Sequence, residues 1–502
     1  MSKSIIIVGA GIAGLSAGCY GQMNGYDTQI FEMDTRPGGV CTSWKRKGYT
    51  IDGCMHWLVG SGRASSFYSI WEELGIIKNH AFVDHDEYLS VEGSNGKSLA
   101  LYADLDKLER SMKELAPEDN DVIEDWIKGL KKLRGLDMPV DKAPELANIF
   151  DKVKMIFRIL PYLWFMKKWG KVTIKKFAER FKSSFMREVF LGPVGDMGDF
   201  PILGLMMPVA WLSQKTAGYP LGGSLALSKT VEKRYLDLGG QVNYKSRVER
   251  ILVENEKAVG IRLSDGSEHH ADIVISAADG RTTIFDMLDG KYINDKIRGY
   301  YDNPSLYPPL LHVAYGVNRT FDDVPQSVSG FNILLDEPIE IVGKEYDRLP
   351  LHVYNFDPSL APKGKTVIKF MINTEYDPWQ ELYKDAESYK VEKERLAAEL
   401  LIVLEKRFPG ITEQVEMTDV ATPMTWVRYT GNWRGSYEGW LMMTFGFGER
   451  MDKTLPGLDN FYMVGQWVEP GGGLPGVAPS GRNAIQIICK KDKKKFVATK
   501  PE

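Results

Sequence analysis

The chain has 502 residues, 43% apolar and 26% charged, with a formal net charge of −4. That length allows two or three domains around a large core, and the balance is that of a soluble globular protein rather than a nucleic-acid binder. Nothing reaches the roughly 18 uninterrupted apolar residues of a membrane span, and four cysteines (Cys19, Cys41, Cys54, Cys489) without metal spacing suit a reducing, cytoplasmic compartment.

Ser4–Val8 is a continuous β-branched run, suited to a buried parallel strand. It enters Gly9-Ala10-Gly11-Ile12-Ala13-Gly14, a complete G-x-G-x-x-G. A helix of small residues follows, then a strand at 28–31 that ends on Glu32. Gly9 suits the tight turn, Gly11 a backbone approach to a pyrophosphate, and Gly14 a close helix–strand contact. The helix N-terminus offers free N–H groups to phosphates. Glu32 stands where a carboxylate accepts hydrogen bonds from ribose hydroxyls. An adenine dinucleotide is expected here. A secretory signal behind Lys3 is rejected, because glycines break the run and no small-residue cleavage site follows.

Arg36-Pro37-Gly38-Gly39-Val40-Cys41 comes next, a loop whose glycine pair can bring backbone against a ligand. Residues 48–57 read as a strand leading into a polar, aromatic corner at Met55-His56-Trp57. A glycine pair after such a nucleotide unit resembles the FAD-dependent family that includes amine oxidases and carotenoid desaturases. There the pair follows the ribose acid and leads the chain towards the flavin ring. An Arg commonly follows the pair in that family, whereas this chain has Val40 and Cys41.

From about residue 70 the character changes. Leu105, Leu108, Met112 and Leu115 have helical spacing behind Asp104 as N-cap, and Pro117 opens a second helix carrying Val122, Trp126, Ile127 and Leu130. Residues 155–169 are apolar and aromatic, broken by Arg158 and Pro161 and flanked by Lys152, Lys154, Lys167 and Lys168. They fit either a segment lying in a membrane interface or a buried helix pair walling a tunnel.

The nucleotide pattern resumes at Gly218, with a helix after Gly222-Gly223-Ser224 and strands at 241–244, 248–253, 258–263 and 271–278. Residues 310–317 and 366–372 read as strands, and 389–408 as an amphipathic helix stopped by Pro409-Gly410. Residues 421–440, rich in Gly and aromatics, read as a loop lining a ligand cavity. The basic end at 490–495 reads as a solvated helix end or an aid to binding an anionic surface.

Near the C-terminus, a strand at 460–465 enters Gln466-Trp467-Val468-Glu469-Pro470-Gly471-Gly472-Gly473-Leu474-Pro475-Gly476-Val477, with a helix opening at Ala478. So many glycines imply close backbone approach to something flat or charged. Free N–H groups at the helix start favour an electron-rich pole, such as the pyrimidine end of a reduced flavin. The stretch resembles the C-terminal motif of bacterial-type phytoene desaturases and the related retinol saturases and carotenoid isomerases. Amine oxidases carry a different sequence at this place.

The resemblance implies an α/β protein with a discontinuous, Rossmann-like FAD-binding domain (1–70, 216–290 and 456–502) and an inserted mixed α/β substrate domain (71–215 and 291–455). It implies FAD contacts at Gly9, Gly11, Ala13, Gly14, Glu32 and Met33, at Gly38, Gly39, Val40 and His56, and at Val248, through its backbone, and Ala277. Further contacts are implied at Gly465, Gln466, Gly476 and Val477. The implied activity is that of an FAD-dependent oxidoreductase acting on C=C bonds of a long apolar isoprenoid, carotenoid-like or polyene lipid, by desaturation, saturation or isomerisation. A flavin amine oxidase and a non-catalytic FAD-binding protein are the alternatives. Glu469 and His56 are the candidates for proton transfer; a solvent-facing or Arg-paired carboxylate is the alternative for Glu469. Peripheral membrane contact is an expectation, with no metal and no nucleic-acid partner. The electron acceptor or donor and the direction of reaction stay open.

Overall fold

The computed structural model describes residues 2–137, 139–441 and 450–501. Ser4–Val8 is the centre of a five-stranded, all-parallel sheet in the order Gln241–Asn243, Asp27–Phe31, Ser4–Val8, Ile273–Ser276, Phe461–Met463. Ile5, Ile6, Ile7 and Val8 are buried on both faces of this sheet, as a β-branched run in a covered parallel sheet must be. Three stretches far apart in the chain thus supply one nucleotide-type layer.

The helix Ile12–Met23 lies against the closing helix Leu474–Lys491. A Cβ on Gly481 would collide with the carbonyl oxygen of Ala13, so the two backbones touch. The closing helix starts at Leu474, earlier than Ala478, because Pro475 supplies the fixed φ of a first turn. Lys490, Lys491, Lys493, Lys494 and Lys495 are exposed, a solvated helix end, and the chain beyond them is tied back. Asn24 and Val497 exchange hydrogen bonds of 2.8 and 2.7 Å, and Lys500 pairs with Glu72 at 2.6 Å.

A second, seven-stranded sheet has the order Val415–Ala421, Leu310–Val317, Thr366–Asn373, Lys344–Val353, Phe331–Ile341, Glu87–Glu92, Ser98–Tyr102. Its back face, with Val313, Phe370 and Leu351, is covered by Leu396, Leu400 and Leu404 of the helix Ala386–Arg407. On the front face, register sets His312 opposite Met371 and Lys369 opposite both Ala314 and His352. Lys369 reaches the nucleotide-binding half, donating to the carbonyl of Asp52 at 2.7 Å.

On the edge strands Glu87–Glu92 and Ser98–Tyr102 of that second sheet, Asp104 caps the helix Leu105–Leu115, accepting from the N–H of Asp106 and Lys107. Residues 117–119 form a tight turn into Asn120–Leu133, which buries Ile123, Trp126, Ile127 and Leu130. The apolar stretch after it forms two helices, Ile149–Ile159 and Leu163–Trp169, with a turn at Leu160–Tyr162. Phe165 and Trp169 are buried, but Phe150 is 80% exposed, Phe157 68% and Trp164 71%. The buried-pair expectation therefore fails for most of the stretch. No helix among the described residues is long and apolar enough to cross a membrane.

The expected loop at 421–440 also needs correction, since Pro423–Thr430 is helical. Thr422 caps it, Thr425 reciprocates, and Pro423 occupies the first turn. Glycine and aromatic content masked these local signals.

Candidate active site

The first cradle forms where Ser4–Val8 meets its helix. Gly9 adopts φ +98° and donates to the carbonyl of Phe31 at 2.8 Å, a turn that favours glycine. A Cβ on Gly14 would strike the Gly9 carbonyl oxygen. Gly11 differs: a Cβ there meets only the Gly38 carbonyl, at 3.9 Å, leaving the front of the helix N-terminus open. Gly38 donates to the carbonyl of Ala10 at 2.9 Å, which draws the Gly38-Gly39-Val40 loop across this opening. Glu32 accepts from the N–H of Ala10 at 2.6 Å and of Asp34 at 2.8 Å. Burial pushes its carboxyl above the usual range, against the pull of those bonds. Ala277 donates to Val8 at 2.9 Å beside Gly9, and Val248 is buried with Phe31. The Met33 side chain reaches towards Gly431. A cleft runs from Glu32, Arg36 and Gly39 past Trp44 to Trp426 and Arg428.

The second cradle is the C-terminal glycine run. Gly471, Gly472 and Gly473 take φ of 90°, 59° and 72° in succession, a path closed to side-chain-bearing residues without strain. Residues 471–477 stay partly open, including Gly476 and Val477. Gly465 donates to Ser480 Oγ at 3.1 Å, and a Cβ on it would lie 3.3 Å from that of Ala13. Along the loops 40–57 and 465–477, the buried atoms Thr42 Oγ1, His56 Nε2, Gln466 Nε2 and Trp467 Nε1 have no partner among the described residues. Unpaired buried polar atoms are costly, so four of them along these two loops suit a polar ligand.

Asp52 ties the corner at 52–56 to the start of the helix Gly223–Asp237. It accepts from the N–H of Cys54 at 3.0 Å, of Met55 at 2.8 Å and of Ser224 at 2.5 Å, and from Ser224 Oγ at 2.7 Å. This presents His56, whose ring stacks on Trp57 at 5.7 Å and on His352 at 5.1 Å. Burial, helped by the Lys369 charge, pulls His56 down to about 3, so it is a neutral imidazole. Burial also brings Lys369 down to about 8, despite Asp52 and Cys54 beside it. Trp57 meets Tyr88 edge-on at 5.8 Å, and Tyr307 meets Tyr437 at 5.5 Å, extending an aromatic wall.

The two acids near the glycine run have opposite surroundings. Glu469 pairs with Lys453 at 2.5 Å and Arg450 at 3.1 Å, and Lys453, only 1% exposed, also holds Glu145 at 2.8 Å. That is the paired arrangement named as the alternative in the sequence. Glu438 is the residue that sequence reasoning missed. Its side chain presses on Gly472, where a Cβ would collide with it. No hydrogen bond or ion pair reaches its carboxyl among the described residues. Its side chain is half-buried, and burial pushes this acid up to about 8. The available signal was an acid between Tyr437 and Gly439 in an aromatic, glycine-rich turn whose other charge, Arg434, is paired with Asp377.

The family of flavin containing amine oxidoreductases matches residues 12–489. The chain belongs to this family. Among relatives of this flavin oxidoreductase, chloroplastic prolycopene isomerase from Arabidopsis thaliana is 24% identical over 494 residues, spanning 95% of this chain and 81% of the relative. Phytoene desaturase (neurosporene-forming) from Rhodobacter capsulatus is 25% identical over 514 residues, spanning 96% and 93%. The solved structure of cyclohexylamine oxidase from Brevibacterium oxydans covers 98% of this chain and 100% of its own at TM-score 0.57 and 14% identity, a likeness of fold alone. The protein is an FAD-dependent oxidoreductase. The open front of Gly11, the partly open Gly476 and Val477 and the four unpartnered polar atoms fit that cofactor.

Proposed function

We propose that this flavin oxidoreductase acts on a C=C bond of a long apolar isoprenoid, by desaturation, saturation or isomerisation of a carotenoid-like polyene. The observation that carries this reading is the uncovered helix pair at 149–169. Ile149, Phe150, Ile156, Phe157, Leu163 and Trp164 are all more than half exposed, with Lys152, Lys154 and Lys167 beside them. A patch of this kind suits lipid contact with lysines at the headgroups. A substrate dissolved in a bilayer needs such a surface, whereas a water-soluble amine does not. Relatives named for prolycopene and phytoene support the same substrate class. Four free cysteines support a reducing, cytoplasmic compartment with peripheral attachment.

FAD is assigned to Gly9, Gly11, Ala13 and Gly14 at its pyrophosphate and to Glu32 at its ribose. Met33, Val248 and Ala277 would flank the adenosine, and Gly38, Gly39 and Val40 would follow the chain of the cofactor. His56, Gly465, Gln466, Gly476 and Val477 would hold the flavin end. Bound FAD supplies two-electron hydride exchange with carbon. The protein's part is to orient it through the Gly11 helix terminus and the unpaired Thr42 and Gln466 atoms, and to wall the substrate with Trp57, Tyr88, Tyr307 and Tyr437. His56, held neutral, serves as a hydrogen-bonding group. Glu469 serves through its ion pairs.

The test incubates oxidised and reduced holoenzyme with vesicles holding prolycopene or phytoene, and separately with putrescine. Chromatographic conversion of a polyene is expected. Hydrogen peroxide from putrescine with both polyenes unchanged would overturn the proposal.

A further inference from the structure

The turn that carries Glu438 is tied down by its own hydrogen bonds. Ser436 Oγ accepts from the N–H of Gly439 and donates to its carbonyl, both at 3.1 Å. Asn432 donates to the carbonyl of Ser436 at 3.0 Å, and Trp440 Nε1 to the carbonyl of Trp467 at 3.1 Å. These bonds set the carboxyl against Gly472 and Gly473. The titratable groups facing it are Tyr307 and Tyr437, with Tyr88 beside Tyr437. Among the described residues burial is the sole cause of its raised value, with no cation contributing.

We infer that Glu438 is the proton donor and acceptor for a C=C bond lying along the glycine run 471–473, and that it catalyses geometric isomerisation of a conjugated polyene. This rests on the polyene reading above. The π pair of one C=C bond forms a new C–H bond to the carboxyl proton, and the O–H pair stays on Glu438 as carboxylate. Positive charge spreads along the polyene, neighbouring bonds lose double-bond order, and rotation becomes easy. The carboxylate then removes a proton from the same carbon and the π bond returns. Atoms and electrons balance without an oxidant. The rings of Tyr88, Tyr307 and Tyr437 offer negative π faces to the passing charge. An acid that titrates near 8 is protonated at neutral pH and still close to the operating pH, as proton transfer in both directions requires.

The test uses holoenzyme and prolycopene vesicles in deuterated water. Deuterium should enter the recovered polyene as it isomerises, at a rate that falls as pH rises through about 8. Glu438→Gln should keep its FAD spectrum and lose exchange and isomerisation by about 10²-fold or more. Apart from turnover, the infrared spectrum should show a protonated carboxylic-acid band that disappears across about pH 8 in the parent and is missing in Glu438→Gln. Undiminished exchange in Glu438→Gln, or no such band in the parent, overturns the assignment. Conversion of retained prolycopene without deuterium uptake overturns Glu438 alone. Prolycopene that neither stays with the holoenzyme nor changes its visible spectrum overturns the polyene reading instead.

Discussion

Gly11 and Gly14 sit three residues apart and are glycine for different reasons. Gly14 faces protein, where any Cβ meets the Gly9 carbonyl, while Gly11 faces open space at φ −64°, ψ 169°, a conformation any residue adopts. Substitutions should separate folding from cofactor retention. Gly14→Ala should destabilise the apoprotein by about 3 kcal/mol, the scale of an overpacked site. Gly11→Val should cost the apoprotein only about 1 kcal/mol, since its Cβ would meet the Gly38 carbonyl oxygen at 3.9 Å and valine caps a helix less well than glycine. It should nevertheless lose FAD. Urea unfolding of the apoprotein and flavin absorbance after gel filtration measure the two effects, and a full complement of FAD in Gly11→Val would remove the pyrophosphate assignment.

At the scale of an element, the helix pair at 149–169 is locally well determined but outwardly unpartnered. Asn148 accepts from the N–H of Asp151 and Asp151 from that of Asn148, both at 2.9 Å, which anchors the first helix. Pro161 falls in the turn that ends it. Exchanging Phe157, Leu160 and Trp164 together for Ser removes exposed side chains only, so stability should change by roughly 0.5 kcal/mol or less per site. Flotation with anionic liposomes should carry the parent and leave the triple variant behind. A parent that does not float, with a variant that unfolds, would return these residues to a core role.

Across the whole molecule, Lys453 joins the C-terminal motif to the helical region, since it pairs with Glu469 of the motif and with Glu145 just ahead of the helix Ile149–Ile159. A nearly fully buried ammonium that loses one of two carboxylates keeps part of its desolvation cost uncompensated. Glu469→Gln should therefore cost about 2 kcal/mol in urea unfolding while FAD binding and the pH profile of turnover hold. An unchanged stability with an altered pH profile would make Glu469 a proton-transfer group after all.

Local rules were enough for the nucleotide-binding half. A β-branched run, a G-x-G-x-x-G and an acid after the next strand dictate their own conformations, and they fold as the spacing says. Helix caps at Asp104 and the stop at Pro409-Gly410 were equally legible. The faces that elements present to one another were not. Composition made 155–169 apolar and aromatic with flanking lysines, but only the absence of a covering element among the described residues left its apolar side outward. His352, Lys369 and His312 share one face because three strands pair in a particular register, and register is set by packing across the sheet. Glu438 and Glu469 are both acids beside glycine. Which one is paired and which is left alone was decided by Lys453 and Arg450 folding onto one of them, because a charge is governed by neighbours in space and not by those in the chain.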